Sequence, residues 1–170
     1  MFNAGDITLR KLGGADIPGL ARLANNKKIW ANVRDIFPYP YGEKDAGNFI
    51  SSIKNEDPQV TFGIEYEGAL CGVSGLVLQT DVYRKTAEIG YWIGEPYWGK
   101  GIATAAVKWL VEYGFETLHL IRIQTGVFEH NIASMRVLEK NGFIKEAICR
   151  KSIYKDGKIL DEHRYSITKD

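Results

Sequence analysis

The chain has little of what small secreted or metal-built domains depend on. Only 2 of its 170 residues are cysteine, Cys71 and Cys149, single and far apart. That argues against a disulfide framework and, without CxxC spacing, against a zinc site. The three histidines, His119, His130 and His163, show no ligand spacing either, so no metal is expected. An excess of charge of one sign is also missing, because 22 Lys and Arg against 21 Asp and Glu leave a net charge of +1. Such a balance gives no electrostatic footprint for nucleic acid or an anionic membrane; an anionic ligand would have to be met locally. No apolar run approaches the ~20 residues of a membrane-spanning helix. The opening MFNAGDITLRKL has neither the basic start nor the apolar core of a signal peptide, and the cytoplasm is the expectation by default.

What is present describes an ordinary globular protein: 45% hydrophobic, 25% charged, with 18 glycines. A chain of this length fits a single domain, residues 1–170, large enough to bury a core without staples. Ile7 to Leu12 alternates as a short strand, and Asp16 then caps an apolar-periodic helix through Ile17, Leu20, Leu23 and Ala24. A second helical piece, Lys28 to Val33, leads into RDIFPYPYGEKDA, where Pro38 and Pro40 forbid helix and Phe37, Tyr39 and Tyr41 make an aromatic loop. Asp45 to Lys54 reads as helix. Gln59 to Tyr66 and Ala69 to Leu78 form a hairpin about Glu67-Gly68, and Thr86 to Gly94 is a third strand. Val107, Leu110, Val111, Gly114 and Leu118 then fall on one helical stripe. Leu120 to Phe128 returns as strand and Asn131 to Asn141 as a helix closed by Gly142. Strand, helix, strand in that order predicts parallel pairing by a right-handed crossover. Phe143 to Tyr154 and Ile159 to Thr168 flank KDGK, whose Asp156-Gly157 suits a tight turn. The fold class is α/β, with a mixed twisted sheet of about six to seven strands flanked by helices.

YWGKGIATAAVKWLVEYG, residues 97 to 114, carries the chemistry. A helix N-terminus leaves unpaired N–H groups at the positive end of a dipole, a site for phosphate where nothing bulky blocks the backbone. Gly99 and Gly101 remove the obstruction, Lys100 adds charge, and Ala103 and Thr104 keep the first turn small. Neither the Walker A spacing nor the dinucleotide fingerprint fits, because position 104 is Thr and the lysine lies between the glycines. Tight packing of helix on sheet is the alternative use of the same glycines.

Together, AEIGYWIGEPYWGKGIATAAV and, some thirty residues on, FEHNIASMRVLEKNGF resemble the GNAT superfamily of acyl-CoA-dependent N-acetyltransferases, and within it the RimJ/RimL-like branch. The likeness extends over nearly the whole chain, including DIFPYPYGEKDA and KDGKILDEHRYSI. It implies a single GNAT-like domain with acetyl-CoA (coenzyme A) as cosubstrate. It further implies that the segment Trp98, Gly99, Lys100, Gly101, Ile102, Ala103 and Thr104 wraps the diphosphate, while backbone groups about Trp92 and Ile93 pair with the pantetheine arm. The family pattern has Gln or Arg, two residues, Gly, one residue, then Gly or Ala. Here Trp98, Gly101 and Ala103 fill those places, and the departure at Trp98 removes a side-chain donor while sparing the N–H cradle.

The resemblance also bears on residues with ordinary readings of their own. Asn131 suits a helix N-cap; by resemblance its amide bonds the pantetheine. Ser134 can cap or back-bond, or protonate the leaving thiolate, since the position where many members carry a tyrosine acid is Leu138. Arg136 is a solvated helix residue or a partner for a coenzyme A phosphate. Glu88, a carboxylate in an otherwise apolar strand, is a cross-strand partner for Arg84, Lys85 or Arg122, or the base that deprotonates the amine. Asp35, Glu43 and Asp161 are reserve carboxylates. Arg34, Phe37 and Tyr41 line the acceptor side, or the loop packs on itself. The implied reaction is direct acetyl transfer in a ternary complex to a primary amine, foremost a protein N-terminal α-amine. Polyamines or antibiotics are alternative acceptors, and a non-catalytic acyl-CoA sensor is an alternative role. The protein is expected as a monomer or homodimer.

Overall fold

The computed structural model describes residues 2–4 and 6–169. The chain folds into two compact units. The first runs to Gly75 and adds Tyr91–Ala106; the second comprises Leu76–Gly90 and the residues from Val107 on.

The first unit opens with strands β1 (Phe2–Ala4) and β2 (Ile7–Arg10), then helices α1 (Ile17–Ala24), α2 (Lys27–Trp30) and α3 (Glu43–Ile53), and returns as strands β3 (Thr61–Tyr66) and β4 (Ala69–Leu78). Its sheet order is β1-β2-β3-β4, with the end of β5 (Thr86–Ile93) beside β4. The β1/β2, β2/β3 and β3/β4 pairs are antiparallel. The β3–β4 hairpin turns at Glu67 and Gly68, φ +52° and +78°, the left-handed pair a two-residue turn requires. Its core gathers Leu12, Leu20, Ala21, Ala24, Tyr41, Ala46, Ile50 and Val73. Those positions recur at helical spacing in α1 and α3, which is why these segments are helices and not part of the sheet. α3 starts two residues earlier than the expected Asp45, because the Asp45 carboxylate accepts the Gly42 N–H at 2.8 Å and so caps the first turn.

The second unit continues β4 and β5 and carries the later part of helix α4 (Ile102–Glu112), strand β6 (Arg122–Phe128), helix α5 (Ile132–Lys140) and strands β7 (Ile144–Lys155) and β8 (Lys158–Thr168). Its strand order is β4-β5-β6-β8-β7. β5 and β6 are parallel, as the crossover order predicts, in the register Thr86↔Arg122, Ala87↔Ile123 and Glu88↔Gln124. β6/β8 and β8/β7 are antiparallel. Ile89, Val107, Leu110, Ile123, Leu138 and Tyr165 are at most 1% exposed and form its interior. The helical stripe does not stay regular to Leu118. A wider π turn, Tyr113–Thr117, ends α4. At Gly114 a Cβ would lie 2.8 Å from Ile123 Cδ1, so the glycine lets the widened turn press onto β6.

The α/β class, the mixed sheet and the flanking helices agree with the sequence reading. The short β1 is an addition no periodicity signalled. Among the described residues, no helix is long and apolar enough to cross a membrane.

One charged cluster fastens the first unit. Arg10, leaving β2, donates from Nη2 to Asp16 Oδ1 at 2.7 Å, from Nη1 to Asp16 Oδ2 at 2.9 Å and from Nε to Glu65 Oε1 at 2.7 Å. Asp16 also accepts the Gly13 N–H, so it caps the turn before α1 and not α1 itself. Hydrogen bonding to Arg10 holds the Asp16 carboxyl below its ordinary value. That contribution is complete above the ordinary Asp pKa of about 4 and is lost as pH falls through the lowered folded value. Arg10→Ala should cost about 1–3 kcal/mol of stability at neutral pH. In urea titrations the gap between wild type and variant should narrow as pH drops below about 4; a gap independent of pH would remove the ion pair as its cause.

Candidate cofactor site

Helix α4 is approached through Trp98, Gly99, Lys100 and Gly101, all four exposed. Both glycines sit at φ +77°, a left-handed conformation that costs other residues about 1–2 kcal/mol. A Cβ at either would meet nothing within 4 Å. Close packing, the alternative use of these glycines, therefore has no neighbour to act on, in contrast to Gly114. The first intrahelical bond runs from Ala105 N–H to the Gly101 carbonyl at 3.1 Å. Ile102 and Ala103 precede it in the first turn, where helix geometry provides no acceptor for their N–H groups. The space in front of them is open and lies at the positive end of the helix dipole. A diphosphate fits such a cradle.

The approach to this loop is anchored on both sides. The turn Glu95–Tyr97 follows β5. The Glu95 carboxylate accepts Asn26 Nδ2–H at 2.7 Å and pairs with Lys28, and these bonds hold its carboxyl below the ordinary range. Asn26 at the same time caps α2, its Oδ1 accepting the Lys28 N–H at 2.8 Å. On the other side, Trp98 Nε1–H donates to the Ile93 carbonyl at 2.6 Å. The tryptophan thus does supply a donor, directed at the chain's own backbone. Lys100 Nζ lies 4.8 Å over the Tyr66 ring, which meets Tyr97 edge-on at 6.5 Å. Tyr66, Tyr97, Asn26 and Glu95 are members of this region that the sequence reading did not single out. Asn26 carried a signal, a capping residue ahead of an apolar position; Tyr66 and Lys100 are 34 positions apart and carried none.

The aromatic loop lies in the same unit. Phe37 is half-buried, 4.8 Å from Tyr41 and 5.8 Å edge-on to Trp92, so the loop reaches the end of β5. Tyr39 leans on Trp30 at 5.9 Å. Arg34 is exposed. Tyr41 is not a lining residue in this arrangement: it is 6% exposed and belongs to the core, and burial pushes its hydroxyl up to about 12. For Tyr41 the loop packs on itself, as one of the two readings held. Trp92 is likewise packed against that core.

The remaining candidates belong to the second unit. Glu88 is half-buried on β5 in register with Gln124. The cations proposed as its partners have bonds elsewhere: Arg122 to Glu146 and Gln124, Lys85 to the His119 carbonyl, Arg84 to the Asp81 carbonyl. Asn131 does cap α5, its Oδ1 accepting the Ser134 N–H at 3.2 Å. Ser134 is half-buried in the first turn, Arg136 is exposed, and Leu138 is fully buried in the core. Of the reserve carboxylates, Asp161 is bonded to the Lys151 N–H at 2.8 Å. There it pins the register shift of the β7–β8 hairpin. Glu43 lies in the first turn of α3 and Asp35 is exposed. Cys71 is buried and Cys149 half-buried, both as free thiols; burial lifts the Cys71 thiol to about 12, which makes it a poor nucleophile.

Comparison with known proteins agrees with this geometry. The family profile described as an acetyltransferase (GNAT) domain matches residues 6–144. A putative ribosomal N-acetyltransferase, YdaF, of Bacillus subtilis is 42% identical over 107 residues, 63% of this chain and 58% of its own length; the chain thus spans less than two thirds of that relative. Spermidine N(1)-acetyltransferase of Escherichia coli is 27% identical over 168 residues, covering 98% of this chain and 88% of its own. Among solved structures, the microcin C7 self-immunity acetyltransferase MccE, in complex with acetyl-CoA and AMP, superposes with a TM-score of 0.83 at 26% identity over 98% of this chain and 94% of that one. With 139 consecutive positions under the family profile and the same fold throughout, this chain belongs to the GNAT acetyltransferase family.

Proposed function

We propose that the protein is a cytoplasmic N-acetyltransferase that moves the acetyl group of acetyl-CoA to a primary amine, foremost a protein N-terminal α-amine, by direct transfer. One observation carries this: two left-handed glycines open unobstructed space before the first turn of α4. Acetyl-CoA would supply the activated thioester. The N–H groups of Ile102 and Ala103 hold its diphosphate, Lys100 adds charge, and Arg136 meets a phosphate. Backbone groups of β5 toward Ile93 and the Asn131 amide orient the pantetheine. Glu88 takes the proton from the ammonium, directly or through water, and the neutral nitrogen bonds to the thioester carbon. The carbon–sulfur bond then breaks as the surplus proton on the nitrogen passes by way of the Ser134 hydroxyl, which gives one proton and takes one back, to the departing thiolate. Neither cysteine is used, and no covalent acetyl-enzyme forms.

The choice of acceptor rests on proton energetics. An α-amine with pKa ~8 is roughly a tenth neutral at pH 7, whereas a lysine at ~10.4 costs about 3 kcal/mol more to deprotonate. A half-buried carboxylate suffices as base for the first. The likeness to a putative ribosomal N-acetyltransferase supports the same choice. The likeness to a spermidine acetyltransferase over nearly the whole chain keeps a polyamine acceptor as the second reading. Thiol release from acetyl-CoA, measured with N-terminal peptides, polyamines and aminoglycosides side by side, should be fastest with a peptide. Faster release with spermidine would transfer the assignment to polyamines, and coenzyme A binding without release on any amine would mean a sensor.

Glu88→Gln should lower kcat by about 100-fold or more while calorimetry shows coenzyme A binding unchanged; retained turnover would exclude Glu88 as the base. Gly101→Val forces a branched side chain into the left-handed region and fills the cradle. It should abolish measurable coenzyme A binding in a variant whose circular dichroism remains native, and unaltered affinity in that folded variant would count against the cradle. Phe37→Ala should raise the acceptor KM more than the acetyl-CoA KM. Tyr41→Ala, by contrast, should first lower the melting temperature, because a buried aromatic is worth about 3–5 kcal/mol.

A further inference from the structure

The glycine loop that would grip the diphosphate has almost nothing packed on it. Four consecutive exposed residues, two of them glycines at positive φ with no atom near their Cβ positions, make a segment with much freedom to lose on ordering. A ligand that spans the end of β5 and the start of α4 requires those two points at one separation. They are joined by Gly94–Trp98, and backbone bonds inside this segment, Tyr97 N–H to Gly94 and Trp98 N–H to Glu95, shape the turn without tying it to the strand. Glu95 is anchored sideways, to Asn26 and Lys28. The near end of the segment is fastened to β4 by Gly94 N–H on the Cys71 carbonyl at 2.8 Å, and its far end is closed onto β5 by the Trp98 indole N–H on the Ile93 carbonyl, 2.6 Å. It returns from the residue immediately before Gly99 to the last residue of β5.

We infer that Trp98 is a positioning residue for coenzyme A. Its indole N–H clasps the Ile93 carbonyl and presets the distance from strand end to glycine loop before the ligand arrives, without itself touching the reacting atoms. The inference rests on the reading of the loop as the coenzyme A cradle. Trp98 is 46% exposed, so the clasp carries little of the core, and its loss should appear in ligand affinity more than in stability.

The test compares wild type with Trp98→Phe, which keeps an aromatic ring and deletes the N–H. Calorimetric titration with coenzyme A should show the dissociation constant rising about fivefold to tenfold, the scale of one hydrogen bond and some loop freedom. The melting temperature of the free protein should move by no more than about 2 °C, and the acetyl-CoA KM should rise by the same factor as the coenzyme A dissociation constant. In the free wild-type protein, the indole N–H resonance that Trp98→Phe removes should exchange slowly with solvent and keep its shift when coenzyme A is added. Equal affinity in variant and wild type would overturn the inference, as would an indole signal that exchanges freely or moves strongly on binding, which would mean direct ligand contact. Should Trp98→Phe fail to fold, the Trp98 indole resonance is assigned in the wild type from its through-space contact with the Ile93 backbone, and its exchange rate still decides. Wild type that binds no coenzyme A at all would instead defeat the cradle reading beneath it.

Discussion

Everything proposed for this chain depends on the backbone N–H groups that open α4, and on the two glycines before them whose Cβ positions have nothing within 4 Å. Helix geometry creates such groups at every N-terminus. Most helices cover them with a cap, as Asn131 does for α5 and Asn26 for α2. α4 instead begins behind two glycines at φ +77° with open space at both. The start of α4 therefore differs from those of α2 and α5, and the proposed function assigns that opening to a negatively charged ligand.

Around that opening the protein invests in anchorage and not in bulk. Glu95 is tied to α2 through Asn26 and Lys28, Trp98 to the end of β5, and Lys100 rests on Tyr66. Deeper in the first unit, Arg10 joins β2 to the turn before α1 and to β3, and the aromatic loop packs Tyr41 into the core while leaving Phe37 half-exposed beside Trp92. A rigid frame thus carries a lightly packed binding edge, the arrangement in which a ligand's binding energy goes least into ordering the protein.

Much of this was legible beforehand, for identifiable reasons. Strand β4 was read to its residue because its ends are marked by Gly68 and by the polar Gln79, and the hairpins turn at Glu67-Gly68 and Asp156-Gly157 because those pairs accept positive φ. The parallel β5/β6 pair followed from element order alone. Gly99 and Gly101 stand out in the sequence by their place before a helix, and only the structure shows that their Cβ positions are open while that of Gly114 presses on Ile123. What sequence could not supply were long-range pairings: Asn26 with Glu95, Lys100 with Tyr66, Arg122 with Glu146. The π turn at Tyr113–Thr117 was missed because its apolar residues still fit a helical period. Lining and self-packing could not be separated for Tyr41 from sequence, because an aromatic residue in a proline-rich loop looks alike whether it faces ligand or core; the structure buries it in the core.

The Glu95–Lys28 pair has a consequence for how the loop responds to its surroundings. Both partners are solvent-exposed, at 37% and 66% of their side-chain surface, so dissolved ions screen them as readily as they screen a bound polyphosphate, over a Debye length of about 10 Å at 0.1 M. Added salt then acts twice, once on the attraction between ligand and helix mouth and once on a tether that keeps the mouth in shape. Ionic strength would thereby tune the loop's own order as well as its grip.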